Sequence, residues 1–380
     1  MKLLHTADWH IGRRLHGFDL TDEQQNAFDQ IEQIAQAEQV DGLIIAGDVY
    51  DRRLPSEASV AMVNQMLQQL NLTDQIPLYA ISGNHDSATR LATGTPWFKA
   101  THLYLHTDLS QAFTPIELTD TQLFLCPYFE PFAAQQYFND ESIQHLDQAF
   151  ARVVTEMKTH FDPAKKHLLV AHFFVAGSST TDSETNLTVG GLAAVPTDLL
   201  ADFDYVALGH LHGKDALHLP NARYSGSPVK FSLSEANQHK GVWIVDTDET
   251  PVKVTFKPIT PIHDVRQITS SFDDLIASAD DDSINHEDYV GITLTDRQPI
   301  PNVMARLRAV FPRIVTLGRA AGFESQVRYH GETSQQIQQK SPMALLGDFY
   351  EQVAKENLTS QQEKWARAAL KQANEGGDQA

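Results

Sequence analysis

Five short motifs in this 380-residue chain carry side chains able to ligate metal ions: Asp8-Trp9-His10, Gly47-Asp48-Val49-Tyr50-Asp51, Gly83-Asn84-His85-Asp86, His172, and Gly209-His210-Leu211-His212. Two Asp, one Asn and four or five His form a hard oxygen and imidazole set with no thiolate. That set favours manganese, with iron or zinc as alternatives. Two cations about 3.5–4 Å apart need a carboxylate that faces both, and such a pair activates water to cut phosphate esters. Asp48 is the candidate bridge, because Gly47 lets the backbone turn sharply just before it. Asp8 and His10 are two residues apart, as are His210 and His212, so in an extended segment each pair projects to one side. Asn84 would add a neutral carbonyl oxygen and leave room for an anionic phosphate. His85 would sit on the leaving-group side, where an imidazole can donate a proton or stabilise charge. Asp86 is then an orienting group for His85 or for the loop. Each motif alone is weak, since a single His at a strand end is more often structural. Their order along one chain carries the inference.

The positioning elements can be read around the motifs. Leu3 to Thr6, Leu43 to Ala46, Leu78 to Ile81, Leu168 to Ala171 and Tyr205 to Leu208 are short apolar runs that read as strands, and each precedes a motif. The spacing predicts helices over 22–38, over 56–70 with Ser56 as N-cap, and over 141–160. Tyr224 and Val242 to Val245 suggest an antiparallel β return. The expectation is an α/β layered sheet with the ligands gathered at one sheet edge.

Beyond about residue 258 the pattern changes to a compact mixture of strands and helices over 264–317, without clustered ligands. A polar linker leads to two short amphipathic helices. The first is opened by Ser341-Pro342 and striped by Leu346, Phe349, Tyr350 and Val353. The second is opened by a capping box at Ser360-Gln361-Gln362-Glu363 and carries Trp365. The expected divisions are therefore 1–260, 261–332, a linker at 333–340, helices at 341–372 and a disordered tail at 373–380. No run of 18 apolar residues predicts a membrane span. The N-terminus turns polar too soon for a signal peptide, and the single Cys126 excludes an internal disulfide, so the expected location is cytoplasmic. The net charge of −20 leaves little positive charge for gripping DNA unaided. It points to a small substrate, to local basic patches and bound metals, or to a partner that supplies DNA affinity.

The motif series is similar to the calcineurin-like metallophosphoesterases. It most resembles the SbcD family of bacterial nuclease subunits, which work with the coiled-coil ABC-type ATPase SbcC. That closer resemblance lies in His5-Thr6-Ala7-Asp8-Trp9-His10-Ile11-Gly12, in Tyr224-Ser225-Gly226-Ser227-Pro228 with Phe231-Ser232-Leu233-Ser234-Glu235, and in Ser341-Pro342 leading to Phe349-Tyr350-Glu351. It implies a layered β-sandwich flanked by helices, a small α+β capping domain that helps to position DNA, and C-terminal helices that dock on the SbcC coiled coil. It also implies a homodimer, with 56–70 and 91–100 as candidate contact segments. By resemblance, one manganese is held by Asp8, His10, Asp48 and His212, and the second by Asp48, Asn84, His172 and His210. His85 matches the catalytic histidine. Asp51 stands near where relatives carry a second histidine, and would orient His85 or a water. The implied activity is manganese-dependent 3′→5′ exonuclease action on duplex ends and endonuclease action on hairpins or single strands, in DNA repair, recombination and replication. The alternatives are a related phosphodiesterase acting on small molecules or with a different ATPase, and a structural adaptor that tethers an ATPase to DNA ends.

Overall fold

The structure, a computed structural model, describes residues 1–184, 194–320, 341–354 and 357–376. Its contacts divide the chain into one unit of 1–293 with 300–318 and another of 294–299 with 319–380.

In the first unit two sheets pack face to face. The six-stranded sheet runs in the order Lys253–Pro258, Gly241–Asp246, Lys2–Thr6, Gly42–Ala46, Leu78–Ile81, Leu103–His106. Its last four strands are parallel, and Gly241–Asp246 pairs antiparallel with Lys2–Thr6. The five-stranded sheet runs in the order Ala222–Tyr224, Tyr205–Gly209, Lys166–His172, Thr121–Cys126, Ile116–Glu117. The expected antiparallel return therefore holds for 241–246 but not for Tyr224, whose strand is parallel to Tyr205–Gly209. The intervening segment carries the chain back to the start of that strand, so Ala222 enters beside Val206 in the same direction.

Strict alternation along the strands builds the layers. Leu3, Ile44, Tyr79 and Ile81 meet Leu123, Leu125, Leu168, Val170 and Ala207 between the sheets. On the outer face of the first sheet, Leu4, Leu43, Ile45 and Leu78 meet Phe28 and Ile31 of the helix Thr21–Glu38 and Val63 and Met66 of the helix Glu57–Gln68. On the other outer face, Phe124, Leu169, Val206 and Leu208 meet Phe150, Val153, Val154 and Met157 of the helix Leu146–Lys158. Each such buried Leu, Ile, Val or Phe contributes about 1.5–3 kcal/mol by leaving water, so the sandwich holds its strand ends firmly.

Two expected helices differ in extent. Ser56 does cap its helix, accepting from the Ser59 amide at 3.1 Å, but the helix ends at Gln68 in a wide turn, Gln69–Thr73. The helix expected from 141 starts only at Leu146. Gln148 accepts the His145 amide at 3.3 Å as part of a capping box, which fixes the first turn there.

A three-stranded sheet follows, in the order Val265–Ser270, Tyr289–Leu294, Ile314–Arg319, with helices Phe272–Ala277 and Val303–Arg308. Phe272, Leu275, Val290, Ile292, Leu307 and Phe311 are buried. Val265 and Tyr289 join the apolar cluster of Phe28 and Ile244, so one core crosses the expected 260/261 boundary.

In the second unit, Ser341 Oγ accepts the Ala344 amide at 3.2 Å and opens the helix Pro342–Ala354, as its Ser-Pro start predicts. The capping box of the next helix is shifted by one residue from the expected Ser360 and Glu363. Thr359 Oγ1 accepts the Gln362 amide at 3.3 Å and Gln362 Oε1 accepts the Thr359 amide at 2.8 Å, because Ser360 is already the first helical residue. That helix runs Ser360–Gly376, past the expected tail boundary at 373. The expected linker at 333–340, the side chains of Phe349 and Val353, and residues 377–380 lie outside the described residues. Among the described residues no helix is long and apolar enough to cross a membrane.

Candidate metal centre

The motifs follow strands of both sheets, which corrects the expectation of a single sheet edge. Asp8, Asp48 and Asn84 follow strands of the six-stranded sheet, while His172 and His210 end or follow strands of the five-stranded one. The two sets meet because the strand ends of the sandwich abut. His172 Nδ1 donates to the Ala46 carbonyl at 2.8 Å across the layers. Glycine makes that approach possible: a Cβ on Gly209 would lie 2.0 Å from the Ala46 carbonyl oxygen, and one on Gly47 would lie 2.4 Å from His172 Nδ1. Within the first sheet, the Asp8 amide donates to Gly47 and the His10 amide to Asp48, each at 3.0 Å, which stitches the first two motif loops together.

The backbone there is unusual. Asp8, His10, Asp48 and His210 have φ of 54°, 45°, 51° and 98°, in or near the left-handed region that disfavours residues with a Cβ. Four such residues within one cluster are strain held by the surrounding fold, which is typical of a functional site.

The side chains converge as two groups that share Asp48. In the first, His10 Nε2 and His212 Nε2 are 3.1 Å apart, and Asp48 Oδ2 is 3.7 Å from His10 Nε2. Asp8 joins them, with one ligand atom from each of Asp8, His10 and His212 within 4.8 Å of the others, and it lies equally within 4.8 Å of Asp48 and His172. In the second, Asn84 Oδ1 is 3.0 Å from both His172 Nε2 and His210 Nδ1, and Asp48 Oδ2 is 3.2 Å from His172 Nε2. Asp8, His10, Asp48, His172, His210 and His212 are all buried, and Asn84 and His85 are half-buried. The cluster therefore meets solvent on the Asn84–His85 side.

The electrostatics fit divalent cations. Burial pushes His10, His210 and His212 down, His210 to about 3, so their rings are neutral and can offer lone pairs. Burial, with the Asp48 charge adding to it, pushes the Asp8 carboxyl well above its usual range. For Asp48 burial acts in the same direction, but the His172 charge outweighs it and holds the carboxyl far below that range. Burial disfavours charge on His172, yet Asp48 raises it to about 9. A charged His172 paired with Asp48, and a protonated Asp8, lie among the neutral rings of His10, His210 and His212, so a cation would replace the protons on Asp8 and His172 in a donor set of buried oxygens and facing ring nitrogens.

His85 lies against this cluster, its ring centroid 4.8 Å from that of His10. Its amide donates to Asp48 Oδ1 at 2.8 Å, and its Nδ1 donates to the Asp51 backbone carbonyl at 2.8 Å. The Asp51 main chain thus holds His85, and its carboxylate, 3.2 Å from Arg52 and 3.8 Å from Arg13, also lies within 4.8 Å of ring nitrogens of His10 and His85. Asp86 is buried and accepts the amides of Val49, Tyr50 and Gly83 at 3.2, 3.0 and 3.0 Å, so it fixes both loops rather than His85. Burial, reinforced by Asp48, raises its carboxyl to about 6.

Sequence reading misses the groups behind His212. Ser183 Oγ lies 2.7 Å from His212 Nδ1, and Glu184 accepts the His212 amide at 2.8 Å. Lys240 Nζ donates to the His212 carbonyl at 2.8 Å and pairs with Glu235 at 2.5 Å, both side chains being buried. Of these groups only Glu235 falls in a stretch that the sequence singles out, and that by resemblance alone. Its separation from His212 gives no local pattern to read. Lys240→Met removes one member of this buried ion pair and strands the Glu235 charge, which is expected to destabilise the fold by about 3–5 kcal/mol. Urea unfolding would check this, and a loss below about 1 kcal/mol would show that Glu235 finds other compensation.

Residues 1–214, more than half of the chain, match the calcineurin-like phosphoesterase family, and residues 261–354 match a domain described as the type 5 capsule protein repressor C-terminal domain. The SbcD subunit of the nuclease SbcCD of Staphylococcus epidermidis is 33% identical over 363 residues, which cover 95% of this chain and 96% of that protein. The protein of the same name from Staphylococcus saprophyticus is 32% identical over 365 residues, 96% of each chain. Among solved structures, TT1561 of Thermus thermophilus aligns with 68% of this chain and 99% of its own at 11% identity and a TM-score of 0.41, a likeness too slight to argue from. The whole-length relatives and the phosphoesterase match agree, and this chain belongs to the calcineurin-like phosphoesterases and, within them, to the SbcD family of SbcCD nuclease subunits.

Proposed function

We propose that this chain is the manganese-dependent DNA nuclease subunit of an ATP-gated SbcCD-type complex, cytoplasmic and homodimeric, acting in DNA repair, recombination and replication. It would degrade duplex ends 3′→5′ and nick hairpins and single strands. The observation that supports this most is the pair of ligand groups meeting at Asp48, in a chain whose whole-length relatives are named as the SbcD component of the nuclease SbcCD. One ion would be held by Asp8, His10, Asp48 and His212, and the other by Asp48, Asn84, His172 and His210. When bound, two manganese ions supply an activated water and neutralise charge on the phosphate. The chain's own residues do the rest. Asn84 and His85 face the solvent side, where a phosphodiester arrives. With Nδ1 tied to the Asp51 carbonyl, His85 keeps one ring orientation beside the cluster, where its imidazole would protonate or stabilise the departing oxygen. The 261–332 segment would cap the nuclease domain and help to position DNA.

Labelled hairpin and linear duplex DNA, incubated with manganese, test this reading. Cleavage that EDTA abolishes and that a coiled-coil ABC-type ATPase with ATP stimulates would support it. Turnover of a small phosphodiester with no cut in any DNA would replace it with the small-molecule reading.

The partner contact would lie in the C-terminal helices, on which Trp365 is 64% exposed and Leu346 37% exposed. Deleting 341–380 is expected to abolish co-purification with the SbcC-type ATPase and to leave metal-dependent cleavage by the chain itself intact. Undiminished co-purification would place the docking surface elsewhere.

A further inference from the structure

The second nitrogen of each imidazole in the centre is treated differently. His172 and His85 each give Nδ1 to a backbone carbonyl, of Ala46 and of Asp51. Among the described residues His10 Nδ1 is buried without a hydrogen-bond partner. His212 Nδ1 meets a side chain instead, Ser183 Oγ at 2.7 Å, and Ser183 Oγ lies 2.5 Å from Glu235 Oε1. A serine hydroxyl has one proton to give and two lone pairs. A carboxylate can only accept, and Glu235 is kept a carboxylate by Lys240 at 2.5 Å, with the Phe231 amide and the Ser232 hydroxyl also donating to it, at 3.2 and 3.3 Å. Thr181 Oγ1 also lies 2.8 Å from Ser183 Oγ and can donate to it with its own hydroxyl, while the carboxylate at 2.5 Å is the stronger acceptor, so the Ser183 proton goes to Glu235 and an oxygen lone pair faces His212. The proton on the His212 ring then sits on Nδ1, and its Nε2 lone pair is turned toward His10 Nε2 and the first ligand group. Without the carboxylate, the serine could donate to Nδ1 instead and drive the proton to Nε2, where it would block ligation. The rest of His212 is clamped from the same segments, its amide by Glu184 at 2.8 Å and its carbonyl by Lys240 at 2.8 Å.

We infer that Ser183 and Glu235 are positioning residues of the metal centre, a hydroxyl-carboxylate relay that fixes His212 as the Nδ1–H tautomer. Accordingly the ion shared by His10 and His212 depends on the relay, and the ion shared by Asn84, His172 and His210 does not. This rests on the two-ion reading above. The carboxylate orients a ligand through an intervening hydroxyl, and losing such support characteristically costs about 10–100-fold in metal affinity.

The test uses full-length Ser183→Ala, Ser183→Thr and Glu235→Gln, with two readouts. Nitrogen-15 imidazole spectra of the metal-free chain, with His212 assigned by its loss in His212→Gln, are expected to show Nδ1–H in the parent and in Ser183→Thr, and a tautomer mixture in Ser183→Ala. Calorimetric titration with manganese alone is expected to show two ions in the parent and one ion weakened about 10–100-fold in Ser183→Ala, the other unchanged and Ser183→Thr close to the parent. Ser183→Ala carries the test if Glu235→Gln fails to fold. An Nε2–H tautomer in the parent, or two ions bound to Ser183→Ala as tightly as to the parent, would overturn the relay. A parent chain that binds no manganese yet shows the Nδ1–H tautomer would overturn the two-ion reading and keep the relay's effect on His212.

Discussion

Asp48→Asn is expected to lower manganese-dependent DNA cleavage by at least about a thousandfold, roughly 4 kcal/mol of transition-state stabilisation, while leaving the fold intact. Asp48 reaches both ligand groups, with Oδ2 3.2 Å from His172 and 3.7 Å from His10, and Oδ1 accepting the His85 amide at 2.8 Å. Asparagine has the same shape and can keep the His85 contact with its one oxygen. That choice turns an amide NH2 toward His172 and His10, and an NH2 group offers no lone pair to a cation. Single-turnover cleavage and a thermal melt decide the matter together. Activity within tenfold of the parent would mean that Asp48 does not bridge, and a collapsed melt would mean that its role is structural.

His85→Ala is expected to lower cleavage by about 10²–10⁴-fold, the usual worth of a positioned general acid or base, with manganese binding preserved. The geometry separates these two effects. His85 is half-buried beside the cluster rather than within it, and its Nδ1 is spent on the Asp51 carbonyl. Its main-chain amide, which alanine retains, makes the bond to Asp48. Calorimetry that counts two ions in His85→Ala beside a crippled cleavage rate would support the assignment. Loss of an ion would make His85 a ligand, and undiminished cleavage would remove it from the reaction.

What can be read from the sequence is local. Apolar alternation marks the strands, and a glycine or a change to polar residues marks their ends, so Asp8, Asp48, Asn84, His172 and His210 can be placed at strand termini one motif at a time. Which sheet carries which strand is a long-range matter. The return of 210–221 that makes the Tyr224 strand parallel, and the apposition of Ala46 with Gly209, leave no periodic trace. The same limit hides Ser183, Glu184 and Lys240. A serine or a lysine 28 or 29 residues from a histidine has no pattern until the fold brings it within 2.8 Å of that residue. Asp51 shows the converse. Its residue type stands out in the sequence, and its carboxylate does lie within 4.8 Å of His10 and His85, yet the hydrogen bond that holds His85 comes from its backbone carbonyl, which every residue has.

The left-handed backbone at Asp8, His10, Asp48 and His210 also bears on how such a chain can drift. Each of these conformations costs a residue with a Cβ on the order of 1 kcal/mol relative to glycine. In a copy released from the centre's chemistry, as after gene duplication, glycine at any of the four would relieve this backbone strain. Selection on folding alone thus wears this centre away, and only continued selection on its chemistry keeps it. Descendants that have abandoned catalysis should be recognisable by glycine at these four positions, before any change in the apolar strands that lead into them.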